Sequence, residues 1–361
     1  SDTDFIRPDF KFYDFNFKAS YKVSTRNILS LSYYQGEDDL DTDFDIINQR
    51  DPADPSTIDQ IDSYNEQADW GNKGLGLIWS RNWNKKFYST FQAAYSEHFF
   101  DYLYNNERRN SDGDLTGLYE IMRANRVQDF QFNFNNEISL GKRHNFKLGL
   151  NYSDLEVFSD VMIRDLSGPS DNPGRNPSRN GNIFSIYASD NIFITPKLQI
   201  RLGGRFITTN VANESFFSPR AAMIYQVTPN FELKASTGKY FQVMREEVYD
   251  DPFSNSENGW NLAQENNDPN AIFLPVMEAD HYIAGFQYEK EDITLDVEYY
   301  RKEVTGLTEY NISHIYDPNS QTQSPRVDIN RGKSQIEGID LLFQKRWGAI
   351  RAGWHTPEVR P

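Results

Sequence analysis

The chain has 361 residues and a formal net charge of −16, and only 38% of it is hydrophobic although 15% is aromatic through 26 Phe, 21 Tyr and 6 Trp. That balance holds too little aliphatic material for an ordinary water-soluble core and too many rings for a disordered chain; the acidity opposes nucleic-acid binding, which needs a basic face. The absence of Cys excludes disulfides, thiolate metal sites and cysteine nucleophiles, no stretch reaches the roughly 18 apolar residues of a membrane helix, and the opening Ser1-Asp2-Thr3-Asp4 has no signal-peptide pattern.

Along the chain apolar and polar residues alternate at period two, the pattern of strands with one apolar face. Phe15, Phe17, Ala19, Tyr21 and Val23 form the first row, turn near Ser24 to Asn27 and return through Leu29, Leu31 and Tyr33. An acidic segment, 36–72, follows, and between Glu37 and Asn72 it carries a net charge of −11. Leu75, Leu77 and Trp79 then turn near Asn82 to Lys86 into Phe87 to Ser96. Beyond a polar loop at 100–126, Phe130, Phe132, Phe134, Ile138 and Leu140 turn at Gly141 to His144 into Phe146, Leu148, Leu150 and Tyr152. A loop at 156–181 leads to Phe184, Ile186 and Ala188, which pass Thr195-Pro196-Lys197 into Leu198, Ile200, Leu202 and Phe206. After 208–217, Met223, Tyr225 and Val227 turn at Thr228-Pro229-Asn230 into Phe231, Leu233 and Ala235. A second acidic loop, 241–275, has a net charge of −6, so the two acidic segments hold essentially all of the excess charge. Tyr282, Ala284, Phe286 and Tyr288 lead through a short polar turn into Ile293, Leu295, Val297 and Tyr299, and a loop at 304–333 precedes a last turn near Trp347 to Ala349.

These rows make about 14 strands joined alternately by short turns and long polar loops. A soluble sandwich has no need of length at every second connection, and unstructured loops above about 12–15 residues are uncommon in compact domains. Outer-membrane barrels are built in this way, with short periplasmic turns, long outer loops, apolar positions toward lipid and polar ones toward the lumen. The expected fold is therefore all-β: an antiparallel transmembrane β-barrel of outer-membrane type over residues 1–354, surrounded by outer-membrane lipid, with 36–72 and 241–275 facing outside. Tyr33-Tyr34, Phe99-Phe100, Tyr240-Phe241 and Tyr299-Tyr300 suit the interfacial aromatic girdles.

Chemistry beyond binding finds little support. The five His (His98, His144, His281, His314 and His355) have no metal-ligand spacing, no nucleophile motif or phosphate loop occurs, and Asp112-Gly113-Asp114 reads as a turn. No enzyme activity, cofactor or metal is expected. Glu37 to Asp45 places six carboxylates in nine residues, a candidate cation site weighed against a merely solvated acidic loop. Loops over a barrel mouth are where recognition residues sit, and Trp70, Tyr249, Asp250, Asp251, Phe253, Trp260 and Asn261 combine rings, carboxylates and amides as ligand sites do. The competing reading is that these rings pack the loops down.

Four stretches carry a family resemblance: FKFYDFNFKASYKVSTRNILSLSYYQGEDDLD (10–41), SPRAAMIYQVTPNFELKASTGKYFQ (218–242), HYIAGFQYEKEDITLDVEYYRKEVTGLTEY (281–310) and GKSQIEGIDLLFQKRWG (332–348). In this order they resemble the later barrel portion of TonB-dependent outer-membrane receptors. The resemblance implies energy-coupled uptake of a small nutrient such as a siderophore, vitamin, peptide or glycan. It also implies a roughly 22-stranded barrel with a plugged lumen, driven by a TonB-type energy-transducing partner that acts through a plug domain. The chain shows no plug and about eight strands fewer than that barrel, and its tail, HTPEVRP (355–361), has two prolines that oppose a strand. It is accordingly expected to be an internal piece of such a receptor. A passive porin-like channel or a surface adhesin barrel is the alternative.

Overall fold

The computed structural model describes residues 8–49, 58–165, 172–251, 254–263, 274–317, 322–347 and 350–353. Every regular element among them is a strand: β1 (Asp9–Ser24), β2 (Asn27–Gln49), β3 (Ile58–Asn84), β4 (Phe87–Asn110), β5 (Leu115–Leu140), β6 (His144–Asp165), β7 (Asn172–Thr195), β8 (Leu198–Thr209), β9 (Glu214–Thr228), β10 (Phe231–Gln242), β11 (Met244–Asp251), β12 (Ser254–Leu262), β13 (Met277–Lys290), β14 (Ile293–Asp317), β15 (Thr322–Trp347) and β16 (Ile350–Gly353). They form one 16-stranded sheet. Neighbours pair antiparallel in chain order from β1 to β10, and the sheet continues through β13, β14, β15 and β16. Among the described residues β1 pairs only β2 and β16 only β15, so the sheet is open.

The described strands number 16 where about 14 are expected, and the additional pair is β11 and β12, which form an antiparallel hairpin inside the expected loop 241–275. One expectation needs correction. The other expected loops are largely strand. β2 and β3 pair without interruption from Asn27↔Arg81 to Asn48↔Gln60, through the whole acidic segment that is described. β4 and β5 likewise pair up to Arg109↔Leu115, leaving a tight turn in which the Asn110 side chain accepts the amides of Asp112 and Asp114 at 3.0 and 2.8 Å and Gly113 takes a φ of +83°. About 9–11 residues suffice to cross a bilayer as a tilted strand, whereas β3 has 27 and β5 has 26. The upper halves of these strands therefore stand as a crest above the membrane, while β8 and β10, with 12 residues each, barely clear it.

Register explains which face meets lipid. Following paired residues from strand to strand, Tyr21, Leu29, Trp79, Phe91, Phe134, Leu150, Ile186, Phe206 and Phe217 form one unbroken rung across nine strands. A second rung runs Tyr225, Leu233, Phe286, Val297 and Leu341. Seven of the nine residues in the first rung keep between 37% and 70% of their surface uncovered by protein. Removing a large apolar side chain from water is worth about 1.5–3 kcal/mol, so leaving this rung wet would forfeit an amount comparable with the whole stability of a typical domain, about 5–15 kcal/mol. Lipid removes that penalty.

The intervening positions make the opposite face, and it is polar where the first is apolar. Asn133 and Asn151 are hydrogen-bonded across the pair, Ser153 donates to Asp129 at 2.6 Å, and Tyr187 donates to Asn135 at 2.6 Å. Below the apolar band, Trp83 stacks on Phe87 with ring centroids 5.9 Å apart and carries the Arg81 guanidinium 4.0 Å from its ring. Amphipathic rings at that level suit the headgroup region.

Candidate ligand-binding surface

The concave polar face is where the β11–β12 hairpin goes. It leaves β10, touches β14 in parallel through Tyr249↔Tyr310 and Asp250↔Asn311, and lays β12 against β5 and β6. Strands β7, β8 and β9 lie between its root and its landing place in the sheet, so only a wall curved toward it allows the contact.

Two kinds of interaction hold the hairpin there. Asn125, which is 5% exposed, offers its amide as a substitute strand: it accepts the Trp260 N–H at 3.1 Å and donates to the Trp260 carbonyl at 3.1 Å, while also donating to the Phe158 carbonyl at 3.1 Å. Leu262 is 1% exposed and packs on Val127, Leu155 and Val157, with Ile183, Val211, Met244 and Trp260 around them. Gly181 makes the space, because a Cβ there would stand 2.2 Å from Val211 and 3.2 Å from Leu262. Arg179 donates to Asn261 Oδ1 at 3.1 Å, and Arg245 donates to the Gly306 carbonyl at 2.9 Å, tying the root of the hairpin to β14.

Trp70 lies on β3 in the crest, on the same face of the sheet as Asn125. Successive pairing places Trp70, Phe100 and Asn125 on one rung, so Trp70 and the residue that grips Trp260 are two strands apart, about 10 Å at the usual strand spacing. The Trp70 ring meets Phe10 with centroids 6.1 Å apart. Trp70, Trp260 and Asn261 thus come to one level of the inner wall. Asn261 is 4% exposed, and its side-chain oxygen is taken by Arg179 and by the Leu262 N–H at 3.0 Å, which fixes the hairpin backbone. Tyr249, Asp250 and Asp251 lie on the β11 backbone near the hairpin tip. Phe253 and the tail 355–361 lie outside the described residues.

Sequence reasoning missed the residues that dock the hairpin. Asn125 falls in a stretch read as loop, and a lone Asn carries no signal of a partner 135 residues away. Arg179 sits in another such stretch. The acidic crest holds ordinary paired groups: Asp62 accepts from Arg108 at 2.8 Å and from Gln60 at 2.7 Å, and Asn65 bonds Asp43. Among the described residues no group of three or more His, Asp or Glu is arranged to hold a metal ion.

Comparison with known proteins matches the family model described as TonB dependent receptor-like, beta-barrel, over residues 12–356. No curated protein sequence matches the chain. Among solved structures it is similar to the RagAB peptide importer in its closed-closed state (12% identity, TM-score 0.54, 94% of this chain and 44% of that one). It is also similar to the outer membrane transporter YddB from Escherichia coli (12% identity, TM-score 0.50, 93% and 52%). The siderophore receptor PirA from Acinetobacter baumannii matches at 12% identity and a TM-score of 0.46, over 95% of this chain and 61% of that one. The chain thus spans less than two thirds of the length of each of these structures.

Proposed function

The chain belongs to the TonB-dependent receptor β-barrel family of the bacterial outer membrane, a family of transport receptors and not of enzymes, and from that premise we propose that it forms the wall of an importer for one specific nutrient. Uptake is coupled to a TonB-type partner through a plug domain that occupies the lumen. The nutrient is a small molecule of the siderophore, vitamin, peptide or glycan kind. It is captured by Trp70, Trp260 and the hairpin residues Tyr249, Asp250 and Asp251, together with Phe253, with Asn261 holding the hairpin in shape.

One observation carries this reading: a wall apolar toward lipid and polar within has, folded onto its inner face, a hairpin rooted at the rim. A passive channel needs a stable opening, whereas a docked hairpin that narrows the mouth suits capture followed by release. The test is uptake in whole cells expressing the complete receptor, with and without a protonophore. Loss of uptake on de-energising, together with a raised KM in Trp70→Ala, supports the importer. Uptake that continues unchanged in de-energised cells would establish the porin-like alternative.

A further inference from the structure

On the inner face of β7 to β10 and β13 lies a cavity of about 350 Å³. Small residues make its floor: Gly203, Ala222, Ser236 and Gly238. Three arginines border it. Register sets Gly203 opposite Arg220, Arg205 opposite Ser218 and Arg201 opposite Ala222, so Arg201 and Arg205 flank Arg220 diagonally on one face.

Each of the two inner guanidinium groups rests on a ring. Arg205 lies over Tyr187 with its central carbon 5.2 Å from the ring centroid, and Arg220 lies over Tyr240 at 4.4 Å. The platforms are themselves fixed. Tyr187 is anchored through its hydroxyl to Asn135 at 2.6 Å and sits where a Cβ on Gly149 would come within 2.3 Å of the ring. Tyr240 packs on the His281 ring at 4.6 Å, and Gly238 leaves room for both Tyr240 and the Arg220 stem, which a Cβ would approach to 3.1 and 3.2 Å. A guanidinium stacked on a ring keeps its in-plane N–H fork free to bind an oxyanion in two-pronged fashion.

Among the described residues the counter-charge is missing. Lys234, on the neighbouring strand, is paired with both Asp296 and Glu298, and Lys239 with Glu278 and Asp280. Among the described residues no ion pair reaches Arg201, Arg205 or Arg220. In a chain with a net charge of −16, three neighbouring positive charges, two of them held on prepared platforms, point to an acidic guest.

We propose that the Arg205–Arg220 pair, with Arg201 at its margin, is an oxyanion-binding site on the inner barrel wall, built for a carboxylate or phosphate group. The guest comes either from solution or from an acidic side chain of the receptor's own lumen-filling segment. The site needs only the inner face of the sheet, so it stands whether or not the barrel imports in an energy-coupled way.

The test uses the complete receptor in detergent, with folding of every variant checked by heat-modifiable migration. Inorganic phosphate is titrated by calorimetry, and in parallel a cysteine placed at Ser236 on the cavity floor is labelled with a charged maleimide. Phosphate binding that weakens at least tenfold in R205Q/R220Q assigns the site to a free anion. Absent phosphate binding, slow labelling that accelerates at least tenfold in R205Q/R220Q and is restored by R205K/R220K assigns it to a carboxylate of the receptor itself. Labelling at equal rates in all forms, with no phosphate binding, overturns the proposal.

Discussion

The β2–β3 crest and the β11–β12 hairpin both carry long, acidic, ring-bearing sequence at the mouth of the sheet, but the first continues the wall upward and the second leaves it for the inner face of β5 and β6. The difference lies in how each keeps its backbone satisfied. In the crest, β3 is paired on both sides, to β2 and to β4, so every second residue can be charged without loss of the ladder. The hairpin has only two pairs with β14, and it substitutes side-chain amides and an apolar plug for a neighbouring strand. One acidic segment is therefore held by its backbone and the other by a few side chains, and single substitutions should affect them very differently.

The largest effect is expected at Leu262. Truncating a side chain that is 1% exposed costs about 2–5 kcal/mol. Here that cost falls on docking alone, because the hairpin contributes little to the ladder of the sheet. Leu262→Ala should leave a heat-modifiable barrel whose hairpin is cut by added protease within 254–262, while wild type resists. A variant that loses the barrel itself would show that the hairpin and wall fold as one unit and would break the comparison.

Asn125→Ala should follow, at about 1–3 kcal/mol, the cost of leaving a buried backbone group of Trp260 without its partner. Hydrogen exchange at the Trp260 amide should accelerate while exchange on β3 stays unchanged. Asn125→Asp is the sharper variant, since a carboxylate still accepts from the Trp260 N–H but repels the carbonyl that the amide served. In the crest, Asp62→Ala removes the acceptor for Arg108, Gln60 and Asn48; Asp62 is itself 5% exposed, but the donors left behind stay within reach of water, Arg108 being half exposed, so the loss is of the size of an exposed pair, about 0–1 kcal/mol. Exchange protection along β3 should fall by no more than a few-fold and locally.

The wall was legible in the sequence because its rule is local. Alternation at Phe130, Phe132 and Phe134, or at Leu29 and Leu31, names the lipid face without knowledge of any partner. The same rule also held in the acidic segment: Asp39, Asp41, Asp43 and Asp45 alternate with Leu40, Thr42, Phe44 and Ile46. Charge density made the stretch look like a loop, although a strand above the membrane has no reason to be apolar on its outer face, and Phe44 in fact stacks on Tyr64 at 4.7 Å. The docked hairpin was not legible, because its grip depends on Asn125, Arg179 and Gly181, distant in the chain and ordinary in type. The arginine cavity falls between these cases. Arg201, Gly203 and Arg205 repeat at period two in a strand whose alternate residues Leu202 and Phe206 face lipid, so their inward aim could be read, but not the rings beneath them.

The smallest expected effect separates two carboxylates on the same strand by the sign of their pH response. Register sets Asp39, Asp69 and Asp101 side by side across β2, β3 and β4. Burial, followed by the facing Asp39 and the charges of Glu37 and Asp101, pushes the Asp69 carboxyl above its ordinary value. Seven positions earlier, burial also acts to raise Asp62, but the hydrogen bonds from Arg108, Gln60 and Asn48 outweigh it and hold that carboxyl below its ordinary value. The linkage follows from which state holds the proton. Folded Asp69 keeps a proton that the unfolded chain releases near pH 3.9, so its contribution is full below that pH and is lost as pH rises through the raised value. Asp62 contributes fully above pH ~3.9 and loses its contribution as pH falls through its depressed value. Like charges directly opposite on a sheet are unfavourable by roughly 0.2–1 kcal/mol, so Asp69→Asn should stabilise the crest by a few tenths of a kcal/mol at neutral pH and have almost no effect at pH 4. Exchange protection of β3 amides, corrected for the intrinsic pH dependence of exchange, measures both. A crest whose protection in Asp69→Asn differs from wild type equally at the two pH values would mean that burial and the facing Asp39 do not raise the Asp69 carboxyl.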